Sequence, residues 1–156
     1  MSNFITKADI AGYIPLAVNL DEQRVVLFAH EVEKMKCTEL LGRELYAEIK
    51  KNPTEPNNIE LIETVKPVLV YWTYIMYLEQ GRVFNTATGP VVKRTDSSIH
   101  LTDMEMKMLI DSTTKNARFY EGELQFYLSR NGNRFPLWIG RSVQHSGRSS
   151  FKIRVL

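Results

Sequence analysis

Val65-Lys66-Pro67-Val68-Leu69-Val70-Tyr71-Trp72-Thr73-Tyr74-Ile75-Met76-Tyr77-Leu78 is the stretch on which the reading of this chain turns. Residues 68–78 hold no charge, and Lys66 and Glu79 close the run on either side. A membrane span needs about 20 apolar residues, so this run reads as a helix buried in a protein core. Val65, Val68, Leu69, Trp72, Ile75 and Met76 form one stripe at helical spacing, and Tyr71, Tyr74 and Tyr77 widen it. A helix with almost no polar face belongs at the centre of a bundle. The pattern predicts it over residues 59–83. Pro67 either kinks it, the reading favoured here, or marks its true first turn.

Working back towards the N-terminus, Asn52-Pro53-Thr54-Glu55-Pro56-Asn57-Asn58 is a break, because proline cannot donate into a continuing helix. Before it, Leu41, Leu45 and Ile49 repeat every fourth residue, with Thr38 as the expected cap. An earlier amphipathic helix starts near Asp21. Val25, Phe28, Ala29, Val32 and Met35 make its apolar side, opposite Glu22, Arg24, Glu31 and Lys34. Thr6 can cap a short turn through Ala11, broken by Gly12-Tyr13-Ile14-Pro15.

Working forward, residues 84–101 change character. Thr86, Thr88, Val91, Val92, Thr95 and Ile99 favour strands, and Thr88-Gly89-Pro90 supplies turn chemistry. So long a connection within a compact domain predicts an extended loop or a projecting hairpin. Thr102-Asp103-Met104-Glu105 is a capping box that opens a long helix. Met106, Leu109, Thr113, Ala117, Tyr120, Leu124 and Tyr127 trace one of its faces as far as Ser129. Asn131-Gly132-Asn133 closes it, and Phe135-Pro136-Leu137-Trp138 is expected to fold back onto the core. Near the end, Phe151, Ile153 and Val155 alternate with Lys152 and Arg154 as in a strand. The expected fold is mainly α: a small bundle of about four helices, with an extended loop or β-hairpin between the last two long ones and a C-terminal extended arm. Residues 1–140 form the helical domain, and residues 141–156 the basic arm with its terminal strand.

Composition restricts function. The 156 residues, 44% hydrophobic and 24% charged, describe one globular domain. One cysteine, Cys37, rules out an internal disulfide, which fits a reducing compartment or a virion interior. No segment reads as a signal peptide. The net charge of +2 is unevenly spread. Residues 130–156 carry Arg130, Arg134, Arg141, Arg148, Lys152 and Arg154 and no acid, leaving a mildly acidic body.

A search for chemistry finds no catalytic set. His30, His100 and His145 have no partner at metal-ligand spacing, so surface or capping roles are the simpler reading. Cys37 lies near Lys34 and Lys36, which can lower a thiol pKa. A nucleophile also needs a base and an oxyanion site, and no local motif supplies either. The paired acids Asp21-Glu22, Glu31 with Glu33, and Asp103 with Glu105 fall at helix starts or on solvated faces, where the helix dipole explains acids. No glycine-rich phosphate loop is present. The expectation is a non-enzymatic chain with no catalytic residue, cofactor or metal. Met104, Met106 and Met108 cannot all share one helix face, so some are exposed or meet a partner, although core packing explains them about as well. The basic tail is either solubilising, or a phosphate contact, or a strand added to a neighbour. Contact with another subunit explains both its charge and its apolar alternation.

The order of these features resembles a known family. Phe4-Ile5-Thr6 with Asp9-Ile10, a helix from Leu20-Asp21, and Glu39-Leu40-Leu41-Gly42-Arg43-Glu44-Leu45-Tyr46 come first. An apolar helix with Pro67, Tyr71 and Tyr74 follows, then Asn85-Thr86 and Gly89-Pro90-Val91. A last helix with Ala117, Tyr120, Leu124, Tyr127 and Leu128 precedes Phe135-Pro136-Leu137-Trp138. Over residues 4–140 this is similar to the small helical head–tail connector (neck ring, adaptor) proteins of tailed bacteriophages, those of crAss-like and other Bacteroidetes phages above all.

That resemblance implies a structural subunit of a neck ring, typically twelvefold, lying between the portal and the tail with DNA passing through its centre. The implied partners are further copies of itself, the portal protein, and adjacent tail or ring proteins. DNA would cross the lumen without sequence-specific binding, and neither a membrane nor a small-molecule substrate is involved. The implied location is the virion neck, with host cytoplasm during assembly. Val91, Val92 and Ile99 in the loop, and Arg141, Arg148, Phe151, Ile153 and Val155 in the arm, are the expected interface residues. The competing reading is a small helical nucleic-acid-binding regulator that uses the basic tail. Such a protein normally places its positive charge on a recognition helix.

Overall fold

The computed structural model describes residues 4–15, 22–81, 83–86, 89–92 and 101–140. Among these residues lie five α-helices: α1 (Lys7–Tyr13), α2 (Glu22–Leu40), α3 (Arg43–Lys51), α4 (Pro56–Gln80) and α5 (Asp103–Arg130). Between α4 and α5, β1 (Val83–Thr86) pairs antiparallel with β2 (Gly89–Val92), with Val83 opposite Val92 and Phe84 opposite Val91. The chain is thus a mainly helical bundle, with one helix more than the expected four. The additional one is α1. Thr6 accepts the Asp9 N–H at 3.2 Å, while the Asp9 carboxylate accepts the Thr6 N–H at 2.7 Å. This reciprocal cap holds together a helix too short to persist alone.

The apolar helix is the axis of the bundle. α4 packs against α5, α2 and α1, and Leu61, Val68, Leu69 and Val70 are completely buried. Burying each such side chain contributes about 1.5–3 kcal/mol. Pro56 occupies the first turn, so α4 begins before Ile59 and Pro67 lies well inside it. Pro67 therefore does not mark the helix start.

α2 also runs further than its pattern suggests. Thr38 lies inside it and caps nothing. The break comes instead at Gly42, whose φ of 84° lies in the left-handed region that a Cβ disfavours. That turn sends Leu45 and Ile49 of α3 back into the core beside Leu41.

Thr102 and Glu105 cap α5 in both directions, with the Thr102 N–H donating to Glu105 at 2.8 Å. At the other end Asn131 donates its N–H to the carbonyls of Tyr127 and Leu128. Phe135 is buried 6.0 Å from the Tyr127 ring, and the Trp138 indole N–H donates to the Leu40 carbonyl at 3.2 Å. The end of the described chain is thereby fastened to the end of α2. No helix among the described residues is long and apolar enough to cross a membrane.

Candidate assembly surfaces

α5 carries a buried stripe and, on its outward side, several exposed apolar side chains. Thr113, Ala117, Glu121, Leu124 and Leu128 form its buried stripe against α4. On the outward side Met104 is 74% exposed, Met108 62%, Phe119 62% and Phe126 57%. At 3.6 residues per turn those four fall within roughly 60° of one another, about 180° from the centre of the buried stripe. They form a line about 33 Å long. Gly122 lies in the same line, and a Cβ placed there would meet nothing within 4 Å. Glycine in a helix interior costs about 1 kcal/mol relative to alanine, and no contact among the described residues requires it at this position. Asp111 and Lys115, both exposed, fall on this same side between Met108 and Phe119, so the outward apolar surface forms two patches, Met104 with Met108 and Phe119 with Phe126.

A second feature lies between α2 and α4. Val32, Met35, Lys36 and Glu39 face Trp72, Ile75, Met76 and Glu79 across a cleft of about 280 Å³. Met35, expected on the core side of α2, is 61% exposed at its margin. Lys36 lies inward instead. Its ammonium is 4.0 Å from the centre of the Trp72 ring, 3.0 Å from Glu121 and 3.0 Å from Glu39. Trp72 donates its indole N–H to the same Glu121 oxygen at 2.8 Å. Three helices are tied at this one carboxylate, so the floor of the cleft is fixed. The long lysine stem explains the exchange, since it covers apolar surface while its charge finds a partner.

A third polar feature is structural. Glu33, assigned from sequence to a solvated face, is fully buried. It accepts the Phe4 N–H at 2.7 Å and the Tyr46 hydroxyl at 2.9 Å, with the Lys50 ammonium 3.7 Å away. Burial, then the bond to Glu33, pushes the Tyr46 hydroxyl well above its ordinary value. One turn along α2, burial and then the Glu33 charge push the Cys37 thiol up as well, outweighing the nearby Lys50. The lysines at 34 and 36 therefore do not activate Cys37, which remains a buried thiol. His30, on α2, has a buried Nδ1 with no hydrogen-bond partner among the described residues. Among those residues no group of three or more His, Cys, Asp or Glu side chains could hold a metal ion.

Of the interface residues expected from sequence, Val91 and Val92 lie on β2, opposite Phe84 and Val83. Ile99, Arg141, Arg148, Phe151, Ile153 and Val155 lie outside the described residues, as do His100 and His145. Arg130 and Arg134, counted with the basic tail, belong to the bundle. Arg134 bonds Asn57 at 2.9 Å and pairs with Glu60, and the Arg130 guanidinium lies 4.9 Å from the Phe126 ring centre. The sequence pattern singles out Met104 and Met108 with Met106, some of them expected to be exposed, but does not join Phe119 and Phe126 to them, although the spacing is legible. Met104 and Met108 are four residues apart, Phe119 and Phe126 seven, and both separations keep one helix face.

No curated protein and no solved structure matches the chain. The model of a family of unknown function, DUF6712, matches residues 37–148, well over half of the sequence. The match takes in the last four residues of α2, all of α3, α4 and α5, and hence the outer α5 line and the α4 side of the cleft, while Val32, Met35 and Lys36 on its α2 side lie before it. The chain belongs to the DUF6712 family.

Proposed function

We propose that this chain is a structural subunit of the neck ring of a tailed bacteriophage, joining portal to tail around a central DNA passage. The observation that carries the proposal is the outward line of Met104, Met108, Phe119 and Phe126 on α5, backed by a fully packed inner face. Two exposed apolar patches on the outer side of the longest helix, with Asp111 and Lys115 between them, suit contact with another protein. The same chain also offers a separate cleft on α2 and α4. Two unlike surfaces on one subunit suit head-to-tail contacts, which close into rings when the rotation allows. The resemblance over residues 4–140 supplies the class of ring: a homo-oligomer, twelvefold, sharing the neck with the portal and adjacent tail or ring proteins in the virion.

In this reading the bundle is a wedge, and the residues between α4 and α5 and those after Gly140 reach neighbouring subunits. Val91 and Val92 belong to the first contact. Ile99, Arg141, Arg148, Phe151, Ile153 and Val155 complete the set. Ring closure multiplies weak contacts, so each interface can be modest. DNA passes through without base readout.

Negative-stain microscopy of the purified chain over a wide concentration range tests this, with closed rings of uniform diameter expected. Particles of subunit size throughout, combined with tight, salt-sensitive binding of duplex DNA, would favour a nucleic-acid-binding regulator instead.

A further inference from the structure

The cleft between α2 and α4 has an apolar floor and an acidic rim. Val32, Ile75, Met76 and the Trp72 ring line it, and Glu39 and Glu79 stand at its margins. The one cation among the lining residues, Lys36, pairs with Glu39 and Glu121, so Glu79 is the rim acid that Lys36 does not engage. A matching ligand is a short segment with apolar side chains on one side and cations among them. The chain contains one such segment: Phe151-Lys152-Ile153-Arg154-Val155-Leu156, beyond the last acid in the sequence, Glu123. In extended form Phe151, Ile153 and Val155 share a side. Lys152 and Arg154 are long enough to bend to a nearby carboxylate rim.

The chain's exit point fits too. Trp138 is bonded to Leu40, which follows Glu39 directly and lies one helical turn beyond Lys36 at the near end of the cleft. Residues 72–79 of α4 extend only about 10 Å. The ten residues 141–150 extend up to roughly 33 Å, far more than docking into the subunit's own cleft requires and enough to cross to a neighbour. We infer that the α2–α4 cleft seats residues 151–156 of an adjacent copy of this chain, an assignment that rests on the ring reading.

The test uses the full-length chain carrying Met76→Cys and Ile153→Cys, treated with a short bis-maleimide, with the natural Cys37 buried and each single variant as a control. The expected result is a covalent ladder of dimers and higher multimers that needs both new cysteines. Adding Glu79→Lys should lower its yield at least several-fold. A link within one chain, or no ladder, overturns the assignment. Native mass spectrometry of the same samples separates the two ideas. Rings without a ladder sink the arm-in-cleft pairing and leave the ring reading standing, whereas the absence of both sinks both.

Discussion

Glu121 on α5 accepts the indole N–H of Trp72 on α4 at 2.8 Å, through the same oxygen that Lys36 of α2 reaches at 3.0 Å. One nearly buried carboxylate therefore sets the spacing of three helices and holds the floor of the α2–α4 cleft. Charge-assisted hydrogen bonds in such surroundings are stronger than neutral ones, and removing one partner strands the others.

Glu121→Ala should therefore cost about 1–3 kcal/mol, measured by urea unfolding. Trp72→Phe should cost less, and the double variant less than the sum, because both changes break the same bond. Strict additivity would show that the two side chains do not act together.

Glu33→Ala should be more damaging, about 3 kcal/mol or more, because it removes a buried charge that holds Phe4, Tyr46 and Lys50. Glu33→Gln retains an acceptor oxygen and should cost less. In both variants hydrogen exchange at the Phe4 amide should speed up far more than exchange along α4. Unchanged protection at Phe4 would contradict this.

The fold was legible where chemistry is local. The apolar run of α4, the Thr6 and Thr102–Glu105 caps and the Leu45, Ile49 spacing of α3 all act within a turn or two, whereas Leu41, expected on the same helix, lies before the Gly42 turn. What escaped the sequence depends on partners far along the chain. Glu33 looks solvated until Phe4, 29 residues away, brings an N–H to it. Lys36 displaces Met35 from the interior only because Trp72 and Glu121 await it, the latter 85 residues on. Thr38 resembles a cap, yet it is Gly42's positive φ that turns the chain. Phe119 and Phe126 escaped because each reads as an isolated aromatic until the helix places it on the side of Met104 and Met108.

Acid should weaken the fold. The Arg134 bond holds Glu60 below its ordinary value, and the Thr102 N–H and hydroxyl do the same for Glu105. At Asp9 burial works upward, but the Thr6 hydrogen bonds and Lys66 outweigh it and leave the carboxyl lowered. A carboxylate with a depressed folded pKa contributes its stability above the unfolded value, near 4, and loses it as pH falls through the folded one. Melting temperature should thus hold steady from neutral pH to about 5 and fall below about 4. Stability that rises as pH drops through that window would contradict the assignment.

The outer α5 line should separate folding from assembly. Phe119→Ser and Phe126→Ser alter exposed positions and should change subunit stability by no more than about 0.5 kcal/mol, while association falls sharply. Gly122→Ala should stabilise the subunit by roughly 0.5–1 kcal/mol and still weaken association, since in the proposed assembly the added methyl would stand between the packed subunits. Melting curves and sedimentation velocity on the same preparations read the two effects independently. Gly122→Ala with intact association would remove the close-approach argument.

Native mass spectrometry of the full-length chain over a wide concentration range, beside the Phe119→Ser/Phe126→Ser double variant, tests the central claim most directly. The account predicts closed rings of a single stoichiometry, twelve, for the natural chain, and folded subunits without rings for the variant. A natural chain that remains monomeric at every concentration, or a variant that forms the same rings, would contradict it.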